Sequence, residues 1–583
     1  DEATMTLPPP REAPVADVTS ICEVDAQLFL FNPSVGTFQL QAKHVTTRLV
    51  SVAPYTYWIY IEDAARCWLR QPIEPGMNAI FNRASSSFIW CYYDESNRVY
   101  SWSLRFPDDA SGTEFRETFG RCAYETMNLS KFEKVSKADQ NYLLDAYEED
   151  VTMTDAESIE ESDEGSGGEE GDEDEGDDED EDEDEKVGEL GKHAKNSQLA
   201  VGYKHDRSFV VRGNKIGVFK YTEDDRLKFS TAINNVATLE GKALNPHKVM
   251  LHNEDTNLIL KDPSNDAMLY KMDLEYGKVV EEWHVHDDIP CTSFVPDSKY
   301  AQMTQQQTLV GLSNNSLFRL DPRLSGQKLV DAECRSYATK NGFSCAATTE
   351  QGWVAVGSEK GEIRLFNKLG INAKAVLPAI GDPIIGIDVT ADGRWLVATC
   401  RSYLLLVDCW NKEENVSGFV KGFSKDKKPV PKRLQLKPEH VAYMGSAVSF
   451  TVARFNTGIN EHEKTIVTST GPYVITWNFR RVKQGKLYDY QIKQYQEDVV
   501  ADNFKYGQDR NIIVALPDDV QMASKRSLLS PKKALQTPAE VSFVLLLLLP
   551  YRPCLVCSIG TIVQVEHRQC ALLRRSAMTC CSE

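Results

Sequence analysis

The sequence predicts a mainly-β protein in two folded parts joined by a disordered acidic stretch. Three observations carry that prediction: charge concentrated in one segment, short β runs closed by a helical period before it, and seven repeated strand pairs after it. The chain has 583 residues, 42% of them hydrophobic, with a formal net charge of −21, enough apolar material for two or more ordinary domains. Residues 155–185 hold 21 Asp and Glu and no Lys or Arg, leaving 65 acids against 65 bases elsewhere. Only Ala156 and Ile159 are apolar there, so nothing can be buried to offset about 1–2 kcal/mol per residue of backbone ordering entropy.

Residues 1–16, with Pro8, Pro9, Pro10 and Pro14, read as a flexible lead-in. From Val18, β-branched and aromatic residues dominate runs at 27–31, 37–43, 57–62, 67–71, 88–93 and 99–106, separated by turn clusters such as Asn32-Pro33-Ser34-Val35-Gly36. After Pro107 the period becomes helical. Phe115, Phe119, Cys122 and Ala123 share one face, and Ser111 or Thr113 is placed to cap the start. Six or seven strands closed by a C-terminal helix over 17–130 resemble the pleckstrin-homology superfold, most of all its Ran-binding and peptide-binding branches. A phosphoinositide site would gather Lys and Arg in the first hairpin loop, yet 32–37 contains neither. Protein docking or a structural role is expected instead of lipid binding, with Trp58, Trp68 and Trp90 in the core.

Residues 131–198 are read as the disordered acidic linker. Within it Ser158 and Ser166 each have Glu three residues on, and Ser162 is followed by Asp163 and Glu164. All three are candidate phosphosites for an acidophilic kinase.

Over 199–522 the dominant signal is repetition. Strand pairs joined by a tight turn recur at 208–221, 258–273, 308–321, 353–367, 395–408, 465–478 and 512–522. Their spacing is close to the roughly 40–50 residues of a four-stranded propeller blade, and the expectation is a WD-like β-propeller of about seven blades. Five of the pairs end in Asp or Asn (Asp273, Asp321, Asn367, Asp408, Asn478), where such blades place a turn-forming residue. The longest interval contains an insertion at 421–437 with seven Lys or Arg against the single acid Asp426. Its bland reading is a solvated surface loop. The sharper reading makes Lys425, Lys427, Lys428, Lys432 and Arg433 a docking loop for an acidic partner or for the chain's own acidic linker. Nucleic acid is disfavoured, because no aromatic residues interleave with the bases as a stacking platform.

Catalytic chemistry is not visible. His284 and His286 would share one strand face with no third ligand placed by the sequence. Cys554 and Cys557 form one CxxC without a second pair. There is no phosphate-binding loop and no nucleophile elbow, so no enzyme, cofactor or metal is expected. The scattered cysteines read as reduced, mostly buried thiols of a cytoplasmic or nuclear protein. The longest wholly apolar run, 543–549, is far short of the roughly 20 residues of a membrane span. Residues 523–583 are expected to be a flexible tail with proline-directed phosphosites at Ser530 and Thr537, and 541–583, with its poly-Leu run and five Cys, reads as a gene-model or read-through extension.

The order of parts resembles the vacuolar import and degradation protein 27 family of fungi, with plant relatives. The carriers are His247-Lys-Val-Met-Leu-His252, Thr308-Leu-Val-Gly-Leu312 with Asp321-Pro-Arg323, Gly352-Trp-Val-Ala-Val-Gly-Ser358 and Asp388-Val-Thr-Ala-Asp-Gly393. The resemblance spans 18–522, departs from 541 onward, and reads as truncated at the start. It implies a cytoplasmic, non-enzymatic protein-interaction scaffold linked by name to import and degradation of metabolic enzymes at the vacuole. An acidic-tract chaperone for basic proteins such as histones is the alternative.

Overall fold

The computed structural model describes residue 11 and residues 18–82, 85–146, 194–222, 226–338 and 341–536. Ser158, Ser162, Ser166, Thr537 and 541–583 lie outside them.

The first unit is a seven-stranded antiparallel sheet. Its strands are β1 (Thr19–Asn32), β2 (Thr37–Ala53), β3 (Thr56–Glu62), β4 (Cys67–Pro72), β5 (Ile80–Asn82), β6 (Ser87–Tyr93) and β7 (Val99–Arg105), in the order β4-β3-β2-β1-β7-β6-β5. Alternation along β1 buries Cys22, Val24, Ala26, Leu28 and Leu30 on one face, as the period of two requires. Helix α1 (Asp109–Asn128) closes that face with Phe115, Phe119 and Cys122 against Phe88, Trp90 and Trp102. Its cap is Asp108, whose carboxylate accepts the Ser111 N–H at 2.8 Å. Ser111 and Thr113, expected as caps, lie inside the helix because the carboxylate one turn earlier takes the free donors. Trp68 and Trp90 are in this core, whereas Trp58 packs with Val50, Val52 and Tyr60 in a separate cluster.

Seven blade sheets follow among the described residues, covering 196–233, 248–284, 293–336, 343–377, 386–434, 454–494 and 501–524 and numbered blades 1 to 7, with a two-stranded ribbon at 410–417 beside blade 5. Each sequence-predicted pair supplies the second and third strands of a blade. Among the described residues blade 7 has three strands, and hydrogen bonds from blade 1 join it to the ring. The Asn196 N–H donates to Pro517 O at 2.8 Å, its side-chain amide donates to Leu516 O at 2.7 Å, and Arg212 reaches Asp518 O at 2.6 Å.

Three expected boundaries move. Residues 131–146, assigned to the linker, carry a 3-10 turn (Phe132–Lys134) and helix α2 (Lys137–Asp145). Phe132, Tyr142, Leu143 and Ala146 are buried with Leu365, Leu377 and Phe419 of the propeller. The helix has too few apolar residues to show a period, and the propeller supplies the burial that orders it. At the other end, the chain turns back after Ser524 to pair Leu529 with Ile492 at the outer edge of blade 6. Ala534 and Leu535 then pack on the core there, so order extends past 522. Finally, the basic insertion contains the outer strand of blade 5, Lys432–Leu434, rather than being loop throughout.

The described residues up to Leu535 make one compact unit. Asn78 Nδ2 donates to Leu436 O at 2.6 Å and Gln435 Nε2 to Ala79 O at 3.2 Å. Cys91 and Tyr93 are buried with Leu434, Leu436 and Val441, the last on helix α3 (Pro438–Met444). Phe31 meets Tyr443 edge-on at 5.3 Å.

Candidate functional site

Two places in the described residues concentrate polar chemistry: the seam between the two units and the centre of the ring. At the seam, Glu125 of α1 is 4% exposed. Its carboxylate accepts from the Tyr57 hydroxyl, from Lys131 Nζ at 2.8 Å and from the Phe132 N–H at 3.0 Å. Burial pushes its pKa up, but these three donors outweigh it and hold the carboxyl below its usual value. The site pins the sheet to the segment that leads into α2.

The structure divides the expected docking loop. Lys425 is exposed, and Lys427, also exposed, pairs with Glu413 at 2.6 Å. Lys428 crosses the seam to Asp139 of α2 at 2.6 Å. Lys432 is 5% exposed within the blade 5 strand, and the Arg433 guanidinium lies 4.2 Å from the Tyr403 ring centre. The five residues therefore serve a surface, a domain seam and a blade rather than one patch. Ser530 is exposed immediately before a helix starting at Pro531. His286 Nδ1 accepts the Asp288 N–H at 3.0 Å and the Ile289 N–H at 3.2 Å, the geometry of a turn.

The ring encloses a cavity of about 160 Å³. One end is crossed by the loop 297–308 between the first two strands of blade 3. Its Lys299 N–H donates to Thr349 O at 3.0 Å, and Lys299 Nζ reaches Asp388 Oδ1 at 3.2 Å and also Val389 O. Tyr300 donates to Gly458 O at 3.1 Å, Gln302 O accepts the Glu254 N–H at 2.9 Å, and the Tyr506 hydroxyl donates to Met303 Sδ at 2.8 Å. One loop thus touches blades 2, 4, 5, 6 and 7. The signal for it was present as length, since the equivalent loops at 253–256, 349–353 and 390–394 are much shorter.

The chain joins a β-propeller to a pleckstrin-homology-like unit on its flank, an architecture that suits a scaffold. Family descriptions match both parts: a VID27 PH-like domain over 19–126 and a VID27 C-terminal WD40-like domain over 194–541. Vacuolar import and degradation protein 27 of Schizosaccharomyces pombe is 46% identical over 541 residues, 89% of this chain and 68% of the relative. Its namesake in Saccharomyces cerevisiae is 40% identical over 544 residues, 89% of this chain and 69% of the relative. The chain belongs to the vacuolar import and degradation protein 27 family. Among solved structures, the Myceliophteria thermophila Cps50 (Swd1) β-propeller domain aligns with a TM-score of 0.40 and 11% identity over 57% of this chain and 97% of its own. Among the described residues no helix is long and apolar enough to cross a membrane.

Proposed function

We propose that the chain is a non-enzymatic scaffold of vacuolar import and degradation, docking proteins on a surface that the pleckstrin-homology-like unit and the propeller build together. The observation behind this reading is the seam. Two folds of the docking kind are buried against each other through Cys91, Tyr93, Leu143 and Leu436, so a partner meets one composite platform. The names of the relatives supply the pathway. On this reading the protein works in the cytoplasm, with a nuclear pool allowed. Lipid is not its target, since the β1–β2 turn carries no cation. Lys425 and Lys427 offer charge to an acidic partner, and Ser158, Ser162, Ser166, Ser530 and Thr537 are the phosphosites that would regulate docking.

A second reading, chaperoning of basic proteins such as histones, rests on the 21 acids of 155–185. Proximity labelling in cells before and after a carbon-source shift separates the two. The scaffold reading expects the same labelled proteins at both domains, retained in high salt. Recovery of histones alone, lost in high salt and with the acidic stretch deleted, would replace it with the second.

A further inference from the structure

At the end of the ring crossed by the loop 297–308, two buried acceptor oxygens, Gln302 Oε1 and Asp255 Oδ1, have no hydrogen-bond partner among the described residues. They belong together. Gln302 stands on that loop and Asp255 in the turn between the first two strands of blade 2, where the Glu254 N–H donates to Gln302 O at 2.9 Å. Gln302 is 6% exposed and lines the cavity of about 160 Å³. Asp255 is 5% exposed. Its turn is tightly specified, since Asn253, Glu254 and Asp255 all take left-handed backbone at φ 53, 59 and 61, which L-residues adopt in succession only where their surroundings hold them.

The other charges near the cavity have partners. Lys299 Nζ reaches Asp388 Oδ1 at 3.2 Å, and Asp388 Oδ2 takes the Phe455 N–H at 2.9 Å. Burial pushes the Asp502 pKa up, and the Arg454 guanidinium beside it opposes that push. Lys248 donates to Ser293 Oγ at 2.5 Å. Asp255 forms no ion pair with any described residue. Its Oδ2 accepts the N–H groups of Tyr203 at 2.6 Å, Lys204 at 2.7 Å and His205 at 3.3 Å, while the Lys204 ammonium pairs with Glu254 instead. One face of a buried carboxylate is thus left to a donor from outside the fold. Water could satisfy its lone pairs but would bring no counter-charge.

We propose that the central cavity binds a small alkylammonium ion, with Asp255 Oδ1 and Gln302 Oε1 accepting its N–H donors. An ammonium has three donors and no acceptor, so it answers both oxygens at once, and its bond to a carboxylate is of the strong, charge-assisted kind. Val201, Val295, Phe455 and Phe504 line the same cavity and give the carbon chain an apolar wall. At roughly 10–15 Å³ of such volume per water, the cavity holds on the order of ten non-hydrogen atoms, which fits a short amine and excludes a folded partner. One free carboxylate takes one ammonium, and a second positive charge in the ligand would share the cavity with Arg454. A monoamine is therefore the expected ligand. The site is independent of the scaffold reading and would let a small amine act on a docking protein.

The test uses the full chain and three probes, butylammonium, 1,4-diaminobutane and butan-1-ol, in calorimetric titration and thermal unfolding at constant ionic strength. Butylammonium should bind and raise the melting temperature, the diamine should bind no more tightly, and the uncharged alcohol should bind at least about ten-fold more weakly. Asp255→Asn keeps an oxygen for the N–H groups of 203–205 and should weaken butylammonium binding roughly ten- to hundred-fold. Gln302→Met keeps the length of the side chain without its acceptor and should weaken binding several-fold. Because it removes an unsatisfied buried acceptor, that variant without ligand should melt no lower than wild type. Glu275→Gln, at an exposed carboxylate outside the cavity, should bind as wild type. No binding of butylammonium would leave the cavity to water and overturn the proposal. So would equal affinity for butan-1-ol, tighter binding of the diamine, or unchanged affinity in both Asp255→Asn and Gln302→Met.

Discussion

Gly381→Val is the sharpest perturbation of the seam. Gly381 has φ +136, a conformation side chains rarely adopt, and a Cβ there would lie 2.6 Å from the Met127 Cβ and 3.0 Å from Asn128 Nδ2. The Met127 Cβ is fixed to the backbone of α1, so relief requires the helix to move away from the propeller. Backbone strain of about 1–3 kcal/mol adds to overpacking of about 1–3 kcal/mol, a loss of about 2–6 kcal/mol confined to the seam. Gly485→Val is the control, since Gly485 also has positive φ (+86) but nothing within 4 Å of its Cβ position. In thermal unfolding the wild type and Gly485→Val should each melt in one transition. Gly381→Val should instead release the N-terminal unit in an earlier transition, with faster amide exchange over residues 137–145. A Gly381→Val protein that melts in one transition with wild-type exchange in α2 would refute the packing described here.

Two further outcomes follow from buried polar groups. Glu125→Ala leaves Lys131, the Tyr57 hydroxyl and the Phe132 N–H without their acceptor and should cost about 2–4 kcal/mol in urea denaturation; a loss below about 0.5 kcal/mol would contradict it. His252 and His440 are pushed down to about 4, each by burial and by a nearby cation, Lys271 for His252 and Lys437 for His440. The unfolded chain therefore binds protons that the folded chain refuses. Their stabilisation is complete above about pH 6.5 and is lost as pH falls to about 4, on the order of 3 kcal/mol each. Asp502 and Glu463, pushed up by burial, work in the opposite sense, so the measurement is a difference: His252→Gln should flatten the slope of stability against pH over that interval, and an unchanged slope would contradict the assignment.

The strand pairs were legible because their signal is local. The apolar run Val354–Ser358 and the alternating Ile363–Phe366, with Gly361 at φ +84 between them, need no distant partner to be read. What escaped the sequence depends on contacts far along the chain. Helix α2 has Tyr142 and Leu143 as its buried apolar pair, and their partners lie more than two hundred residues away. The strand Lys432–Leu434 is three residues long and begins with two cations, so charge masked a segment whose backbone pairs with Leu404–Leu406. Ring closure through Asn196 and Arg212 leaves no periodic trace, because one side-chain amide and one guanidinium join blade 1 to blade 7. The polar centre was equally hidden: Arg454, Gln302 and Asp388 become neighbours only when the blades close into a ring.

The central claim is that the N-terminal unit and the propeller are one body rather than two domains on a tether. The direct test is to insert a site-specific protease sequence after Gly171, cut the purified full chain to completion, and pass it through size exclusion in low and high salt. The account predicts that both fragments elute together at the size of the intact chain under both conditions, because the seam is mainly apolar and screening of the Lys428–Asp139 pair leaves that apolar contact in place. They should separate only in denaturant. Fragments that elute apart in native buffer would contradict it.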